Sequence, residues 1–335
     1  MKALVTGGGG FLGGAIVRLL VARGDAVRSF ARGDYPWQND LGVEAVRGDL
    51  ADPGAVARAA AGCDVVFHVA AKAGVWGAFA DYQRANVDGT RLVVAACQSR
   101  GVGRLVYTSS PSVVFNGRDM ENVDESAPYS DHHDAPYPAT KAEAERLALA
   151  ANGPNLAVVA VRPHLIWGPG DNHLVPKILA RGRAGRLRRI GNVPKLIDST
   201  YIDNAADAHI QAADRLTIGG SVAGKAYFIS NGEPLPIWDL VNKLLAAGGL
   251  PPVRRAVPKW AAFAAGAACE TVYRALGATT EPPMTRFVAQ ELATAHWFNL
   301  SAAFRDLDYR PRVSIEEGLR RLEAWLRTHR ATSEV

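Results

Sequence analysis

Four consecutive glycines, Gly7 to Gly10, separate an apolar strand-like run (Ala3 to Thr6) from an amphipathic segment (Phe11 to Arg23), and few folds accept that juncture. Read as a strand-to-helix turn, Thr6-Gly7-Gly8-Gly9-Gly10-Phe11-Leu12-Gly13 puts glycine where it is needed. Gly7 permits the tight turn, Gly10 lets backbone approach a ligand, and Gly13 lets helix pack close to strand. The helix start at Phe11 and Leu12 then turns unpaired N–H groups toward the turn, where a pyrophosphate fits. A glycine run alone also describes a flexible loop. Its place between strand and helix is what makes it a dinucleotide site.

The same alternation continues. Strands are expected at Ala3 to Thr6, Ala26 to Phe30, Val43 to Arg47, Asp64 to Val69, Arg104 to Ser109 and Ala157 to Arg162. Helices are expected at Phe11 to Arg23, Pro53 to Ala61, Phe79 to Arg100 and Tyr137 to Ala151. Strand and helix in strict succession imply an α/β fold of the Rossmann type, a doubly wound parallel sheet with helices on both faces and ligands beyond the carboxyl ends of its strands. Residues 1–168 form this dinucleotide-binding domain, with later strands from about 199 to 229 (Ser199 to Ile202, Tyr227 to Ile229) completing the sheet. Residues 169–330, where the alternation gives way to Pro-rich turns, form mostly a smaller C-terminal substrate lobe and lid, and residues 331–335 a tail. Val257 to Leu276, rich in Ala and aromatics but interrupted by Lys259, Glu270 and Arg274, reads as a packed lid helix, with an interfacial helix as the alternative.

The end of the second strand bears on the choice of dinucleotide. NAD-preferring sites place a carboxylate there for the ribose 2′-hydroxyl, whereas Ala31 occupies that position and Arg32 follows it. A guanidinium suits a 2′-phosphate, so NADP(H) is favoured, and NAD(H) remains the alternative through Asp34. Asp49, with Leu50 beside it, is placed to accept from the adenine amino group. Capping the helix from Pro53 is its structural alternative.

Tyr137-Pro138-Ala139-Thr140-Lys141 carries the chemistry. Four residues turn a helix by about 400°, so Tyr137 and Lys141 share a face. With 9 Tyr and 8 Lys in 335 residues, about 0.2 such pairs would arise by chance, and this is the only one. A cation beside a phenol is expected to lower its pKa and make it a usable acid. Upstream, Thr108-Ser109-Ser110-Pro111-Ser112 ends a strand at the ligand-binding rim, where a hydroxyl can hold a carbonyl oxygen.

The remaining composition limits the partners. With 48% hydrophobic and 21% charged residues the chain can bury a large core, and no uninterrupted apolar run is long enough to span a bilayer. Met1-Lys2 leads into a strand without the regions of a secretory leader, so a cytoplasmic location is expected, with peripheral contact at a membrane surface as its extension. Three cysteines (Cys63, Cys97, Cys269) lack metal-ligand spacing and are expected to be reduced and buried; no metal site is indicated. The net charge of +5 is small, and the one dense basic cluster, Lys177 to Arg189 with Arg181, Arg183, Arg186 and Arg188, reads as a solvated helix end. No aromatics interleave with it, which argues against nucleic acid.

Thr6 to Gly13, Asp49, His68-Val69-Ala70-Ala71, Asn86-Val87-Asp88-Gly89-Thr90, Thr108 to Ser110, Tyr137 to Lys141 and Arg162-Pro163 together resemble the extended short-chain dehydrogenase/reductases over nearly the whole chain. Within them the chain is similar to the 3β-hydroxysteroid dehydrogenase branch. Ala71 to Gly77, His164 to Asp171 and Pro283 to Phe287 look closest to bacterial 2-alkyl-3-oxoalkanoate reductases of long-chain olefin biosynthesis. The resemblance implies Tyr137 as general acid, Lys141 on the nicotinamide ribose, and Ser110 on the carbonyl oxygen, with Ser109 or Ser112 as alternatives. It places Ala70 and Asn86 on the cofactor side and Pro163 near the nicotinamide. Trp76, Trp167, Trp260 and Phe263 would grip a hydrophobic substrate, and His164 or Lys72 would face its carboxylate; a structural role for His164 is the alternative. It also implies homodimerisation and association with other enzymes of the pathway. A sterol-type 3β-hydroxy dehydrogenase, a sugar nucleotide epimerase and a dinucleotide sensor are the competing readings; the Asp-Glu pair of dehydratases is replaced by Pro111-Ser112.

Overall fold

Seven parallel strands build the central sheet of the computed structural model, which describes residues 1–331. They are β1 (Lys2–Thr6), β2 (Ala26–Ala31), β3 (Glu44–Arg47), β4 (Val65–His68), β5 (Arg104–Thr108), β6 (Ala157–Pro163) and β7 (Ala226–Ile229). Their spatial order is β7-β6-β5-β4-β1-β2-β3. The chain therefore reverses direction across the sheet between β1 and β4, and the crevice outside that point is where this architecture holds ligands.

Alternate residues of each central strand enter opposite cores, as a sheet covered on both faces requires. Ala3 and Val5 pack on one side with α1 (Phe11–Ala22) and α5 (Ile202–Arg215), while Leu4 packs on the other with α2 (Pro53–Ala60), α3 (Gly89–Arg100) and α4 (Pro136–Ala150). The helix expected from Phe79 to Arg100 begins as a single turn at Phe79–Tyr82, widens into a π-turn at Gln83–Asp88, and continues as α3. Such bulges gather at functional sites, and this one contains Asn86.

Only part of the 199 to 229 region completes the sheet. Thr200–Tyr201 pairs instead with Ile166–Trp167 in a separate two-stranded ladder, and Ile202 already opens α5. The reason is local: the Thr200 N–H bonds the Leu165 carbonyl, and its hydroxyl reaches the carbonyls of His164 and Ile229, so the segment closes over strand ends rather than running along the edge.

The lobe is built on a four-stranded sheet ordered Leu235–Pro236, Leu196–Ile197, β8 (His296–Phe298), Met120–Val123, so it borrows a strand from the loop between β5 and α4. Helix α6 (Lys259–Ala275) packs on α7 (Arg286–Glu291) at Gly266, where a Cβ would press into the Thr285 and Arg286 backbone. Buried Glu270 accepts the Arg286 N–H at 2.7 Å and its guanidinium at 3.0 Å. Cys63 and Cys97 are buried and free, but Cys269 lies on α6 and is half-buried, contrary to expectation. Among the described residues no helix is long and apolar enough to cross a membrane. The tail placed at 331–335 lies, from 332 on, outside the described residues.

Candidate active site

The glycine turn closes over the end of β1. Gly7 has φ +70°, and its N–H bonds the Phe30 carbonyl at 2.8 Å; the Gly10 N–H returns to the Gly7 carbonyl at 2.9 Å. A Cβ on Gly7 would sit 3.0 Å from the backbone of Ala70, and one on Gly13 would run into the Gly7 carbonyl. Ala70 is thereby brought against the turn. No side chain caps α1 at Gly10, so the N–H groups of Phe11, Leu12 and Gly13 stay open for an anion. This uncapped, side-chain-free cradle fits a dinucleotide pyrophosphate.

Beyond the turn, the ends of β2 and β3 line a cleft with Ser29, Ala31, Asp34, Tyr35 and Arg47. Arg32 is exposed and forms no ion pair among the described residues, and its carbonyl accepts the Arg47 Nε at 3.0 Å. Two guanidinium side chains and one exposed carboxylate, Asp34, thus meet at this rim. Arg47 was not singled out from sequence, although its place at the end of β3 carried the signal. Asp49 turns one oxygen onto the Ala51 N–H at 3.0 Å, and it is Asp52, bonded to the Ala55 N–H, that caps α2. Leu50 is half-buried against Gly89.

Tyr137 and Lys141 lie one turn apart on α4. Ser110, at the end of the β5 loop, accepts the Ser112 N–H at 3.2 Å and lies beside the Tyr137 phenol. Ser109 points into the core, 3% exposed, and Ser112 buries its hydroxyl without a partner, so Ser110 is the hydroxyl at the phenol. The expected depression of Tyr137 by Lys141 is not what the geometry gives. Burial pushes Tyr137 up to about 12, opposed by the Ser110 hydrogen bond. The Lys141 ammonium is spent elsewhere, donating to the Tyr107 hydroxyl at 2.7 Å and the Thr108 carbonyl at 2.5 Å. Burial pulls Lys141 down to about 7, with Glu145 opposing.

The other candidates divide. Asn86 is 2% exposed and fully engaged: its Oδ1 accepts the Lys72 N–H at 2.7 Å and its Nδ2 donates to Thr140 Oγ1 at 3.0 Å, so it ties the loop after β4 to α4. Pro163 ends β6 at the rim. Trp76 donates its indole N–H to the Ala278 carbonyl at 2.9 Å and meets Tyr273 edge-on, closing the loop after β4 against the end of α6. Lys72 is already paired with Asp81 at 2.9 Å. His164 is not a cation: burial and His296 push it far below the usual imidazole range, and its Nε2 bonds His296 Nδ1 at 2.7 Å. Trp167 is a core residue with no exposed area, bonded to Ser199 and packed on Tyr201. Trp260 and Phe263 stand exposed on α6, 74% and 41%, and are not packed into the protein as Trp167 is. Sequence reasoning also missed Glu291, a carboxyl at the end of α7 whose ionisation would push Tyr137 further up.

The sequence profile of the 3-beta hydroxysteroid dehydrogenase/isomerase family matches residues 4–258. The chain is 55% identical to a 2-alkyl-3-oxoalkanoate reductase of Stenotrophomonas maltophilia over 97% of its own length and 99% of that protein. It is 51% identical to a 2-alkyl-3-oxoalkanoate reductase of Shewanella oneidensis, covering 97% and 86%. The dTDP-glucose 4,6-dehydratase DesIV of Streptomyces venezuelae, solved with NAD bound, superposes with a TM-score of 0.76 at 26% identity, covering 99% of this chain and 98% of that one. A dinucleotide turn, a Tyr-Lys pair on the following rim and this likeness along the whole chain agree: the protein is an NAD(P)-dependent oxidoreductase that belongs to the 3-beta hydroxysteroid dehydrogenase/isomerase family, within the extended short-chain dehydrogenase/reductases.

Proposed function

We propose that the enzyme reduces the 3-oxo group of a 2-alkyl-3-oxoalkanoic acid to the 3-hydroxy acid with NADPH. The observation that carries this reading is the Ser110–Tyr137 pair at the rim of β5, beside the uncapped glycine turn. A phenol held up near 12 is protonated at neutral pH, the state a proton donor needs. Ser110 steadies the carbonyl oxygen, Tyr137 gives its proton to that oxygen as negative charge develops, and Lys141 lies beside them on the ribose side. The dinucleotide, when bound, supplies the hydride. Gly7, Gly10 to Gly13 and Ala70 would hold its pyrophosphate, Asp49 its adenine, and Arg32 with Arg47 a 2′-phosphate.

The alkyl chains fall to Trp76, whose only polar atom is satisfied by Ala278, together with the α6 end it packs on. Neither His164 nor Lys72 offers an unpaired positive charge to the carboxylate, so recognition rests mainly on apolar burial. A homodimer through the segments Phe79 to Arg100 and Tyr137 to Ala151, association with other enzymes of the pathway, and a cytoplasmic setting with α6 near a membrane surface complete the reading.

The test is a chain-length series of 2-alkyl-3-hydroxyalkanoates assayed in the oxidation direction with NADP and NAD. Each added buried methylene contributes about 0.8 kcal/mol, so kcat/KM climbs about fourfold per carbon until the pocket is full. A flat series alongside turnover of a nucleotide sugar would overturn the assignment.

A further inference from the structure

Lys141 has three protons to place, and the two that the protein takes are held by acceptors of different character. The Thr108 carbonyl can only accept. The Tyr107 hydroxyl can accept only if its own proton points away from Lys141, and a chain of buried polar groups runs across the sheet up to its strand.

The chain runs straight across the sheet. Thr6 on β1 stands opposite His68 on β4, and His68 stands opposite Tyr107 on β5. Thr6, His68, Tyr107 and Thr90 of α3 are each no more than 1% exposed. Thr6 Oγ1 accepts two backbone N–H groups, from Val69 and Ala70, both at 3.2 Å. Its own proton therefore goes to His68 Nδ1 at 2.8 Å. That fixes the His68 tautomer: Nε2 carries the proton and donates to Thr90 Oγ1 at 3.0 Å. Thr90 sends its proton to the Asn86 carbonyl at 2.5 Å, so toward His68 its oxygen can only accept. Tyr107 then presents a lone pair to Lys141 at 2.7 Å. The proton directions from Thr6 to Thr90 follow from the two backbone N–H groups after β4. His68 cannot reverse the chain by gaining a charge, since burial, with Lys141 nearby, pushes it down to about 3.

We propose that Tyr107 is a positioning residue for Lys141. With two N–H bonds taken on the sheet side, the third N–H of the ammonium is left for the cofactor and Tyr137 side. The ring of Tyr107 also lies 4.2 Å from the ammonium, so replacing it by Phe removes the hydroxyl and keeps the ring. The titratable groups around Lys141 are Tyr107 on β5, His68 on β4, and Tyr137 and Glu145 on α4; Glu145 is itself paired with Arg162.

This inference rests on Tyr137 and Lys141 being the reacting pair. The experiment is an NMR titration of lysine ε-carbons in the cofactor-free protein, with Lys141 assigned by Lys141→Met, alongside turnover. Tyr107→Phe removes one charge-assisted acceptor, so the Lys141 midpoint is expected to fall by about one to two pH units and kcat by about ten- to a hundredfold. An unmoved Lys141 midpoint in Tyr107→Phe rejects the proposal, whether or not turnover falls, because lost packing alone would not move it. Near-normal turnover in Tyr137→Phe would instead remove the proposed function, and the Lys141 titration would still report on the chain.

Discussion

At the level of single residues, the rim beyond β2 makes the sharpest statement. Ala31 puts no carboxylate at the fingerprint position, while Arg32 is exposed and forms no ion pair among the described residues, and Arg47 donates to its carbonyl. The orientation of Arg47 means that two guanidinium groups would share a 2′-phosphate, and neither alone would carry all the selectivity. Arg32→Ala is therefore expected to weaken NADPH binding by about 1.5 to 3 kcal/mol and to leave NADH nearly unchanged, read as Kd by titration calorimetry. Equal losses for both dinucleotides would point to Asp34 and an NAD site. Sequence exposed half of this cluster: Arg32 follows the fingerprint position, but nothing in the linear order ties Arg47 to it until β3 lies beside β2. His164 shows the converse. Its residue type and position suggested an anion contact, and only the fold reveals that a second histidine, 132 residues away, takes its proton.

At the level of elements, helix α4 is held by charge as well as by packing. Glu145, one turn beyond Lys141, receives both arms of Arg162 on β6, at 2.9 and 2.5 Å, and the Tyr129 hydroxyl at 2.6 Å. Burial alone would raise its carboxyl, but Arg162 holds it below the usual carboxylate range. Such a pair adds little net stability over a packed apolar pair, yet breaking it strands a charge in the core. Arg162→Met should cost about 3 to 5 kcal/mol in urea unfolding, and adding Glu145→Leu should recover most of that. A single mutant as stable as wild type would mean that water reaches Glu145. The pair could not be read from sequence, because both residues look like ordinary surface charges on a helix and a strand. The helix and strand themselves were legible: β-branched runs and the 3.6-residue pattern recur through the first 163 residues, where each strand is long enough to show its period. In the lobe that signal vanishes. Leu196–Ile197, Thr200–Tyr201 and Leu235–Pro236 are two residues each, and their pairing depends on partners far along the chain rather than on their own pattern.

At the scale of the whole molecule, the sheet-bearing half and the lobe meet over the site, and the junction contains a group that resists ionisation. α7 rests on the loop that follows Ser110: Phe115 meets Phe287 edge-on, and Gln290 donates to the Gly117 carbonyl at 2.9 Å. Glu291 ends this helix, its carbonyl accepting from His296, and its carboxyl has no ion-pair partner among the described residues. Burial pushes that carboxyl up to about 8 from its ordinary 4.5. The folded protein therefore holds this proton where the unfolded chain has released it, so stability falls as pH rises from about 4.5 and the full penalty is present above about 8. Lys141 acts in the opposite sense, since a base lowered from 10.5 to about 7 makes the folded state gain stability as pH rises through that interval. The two contributions separate by substitution. Glu291→Gln keeps the shape and removes only the ionisation, so it should match wild type at pH 4 and exceed it at pH 9 by about 2 to 4 kcal/mol, measured by urea unfolding at both pH values. Lys141 is common to both proteins and cancels in the difference. A Glu291→Gln advantage that does not change with pH would show that the carboxyl ionises freely in the folded protein, and that the junction between lobe and sheet admits water.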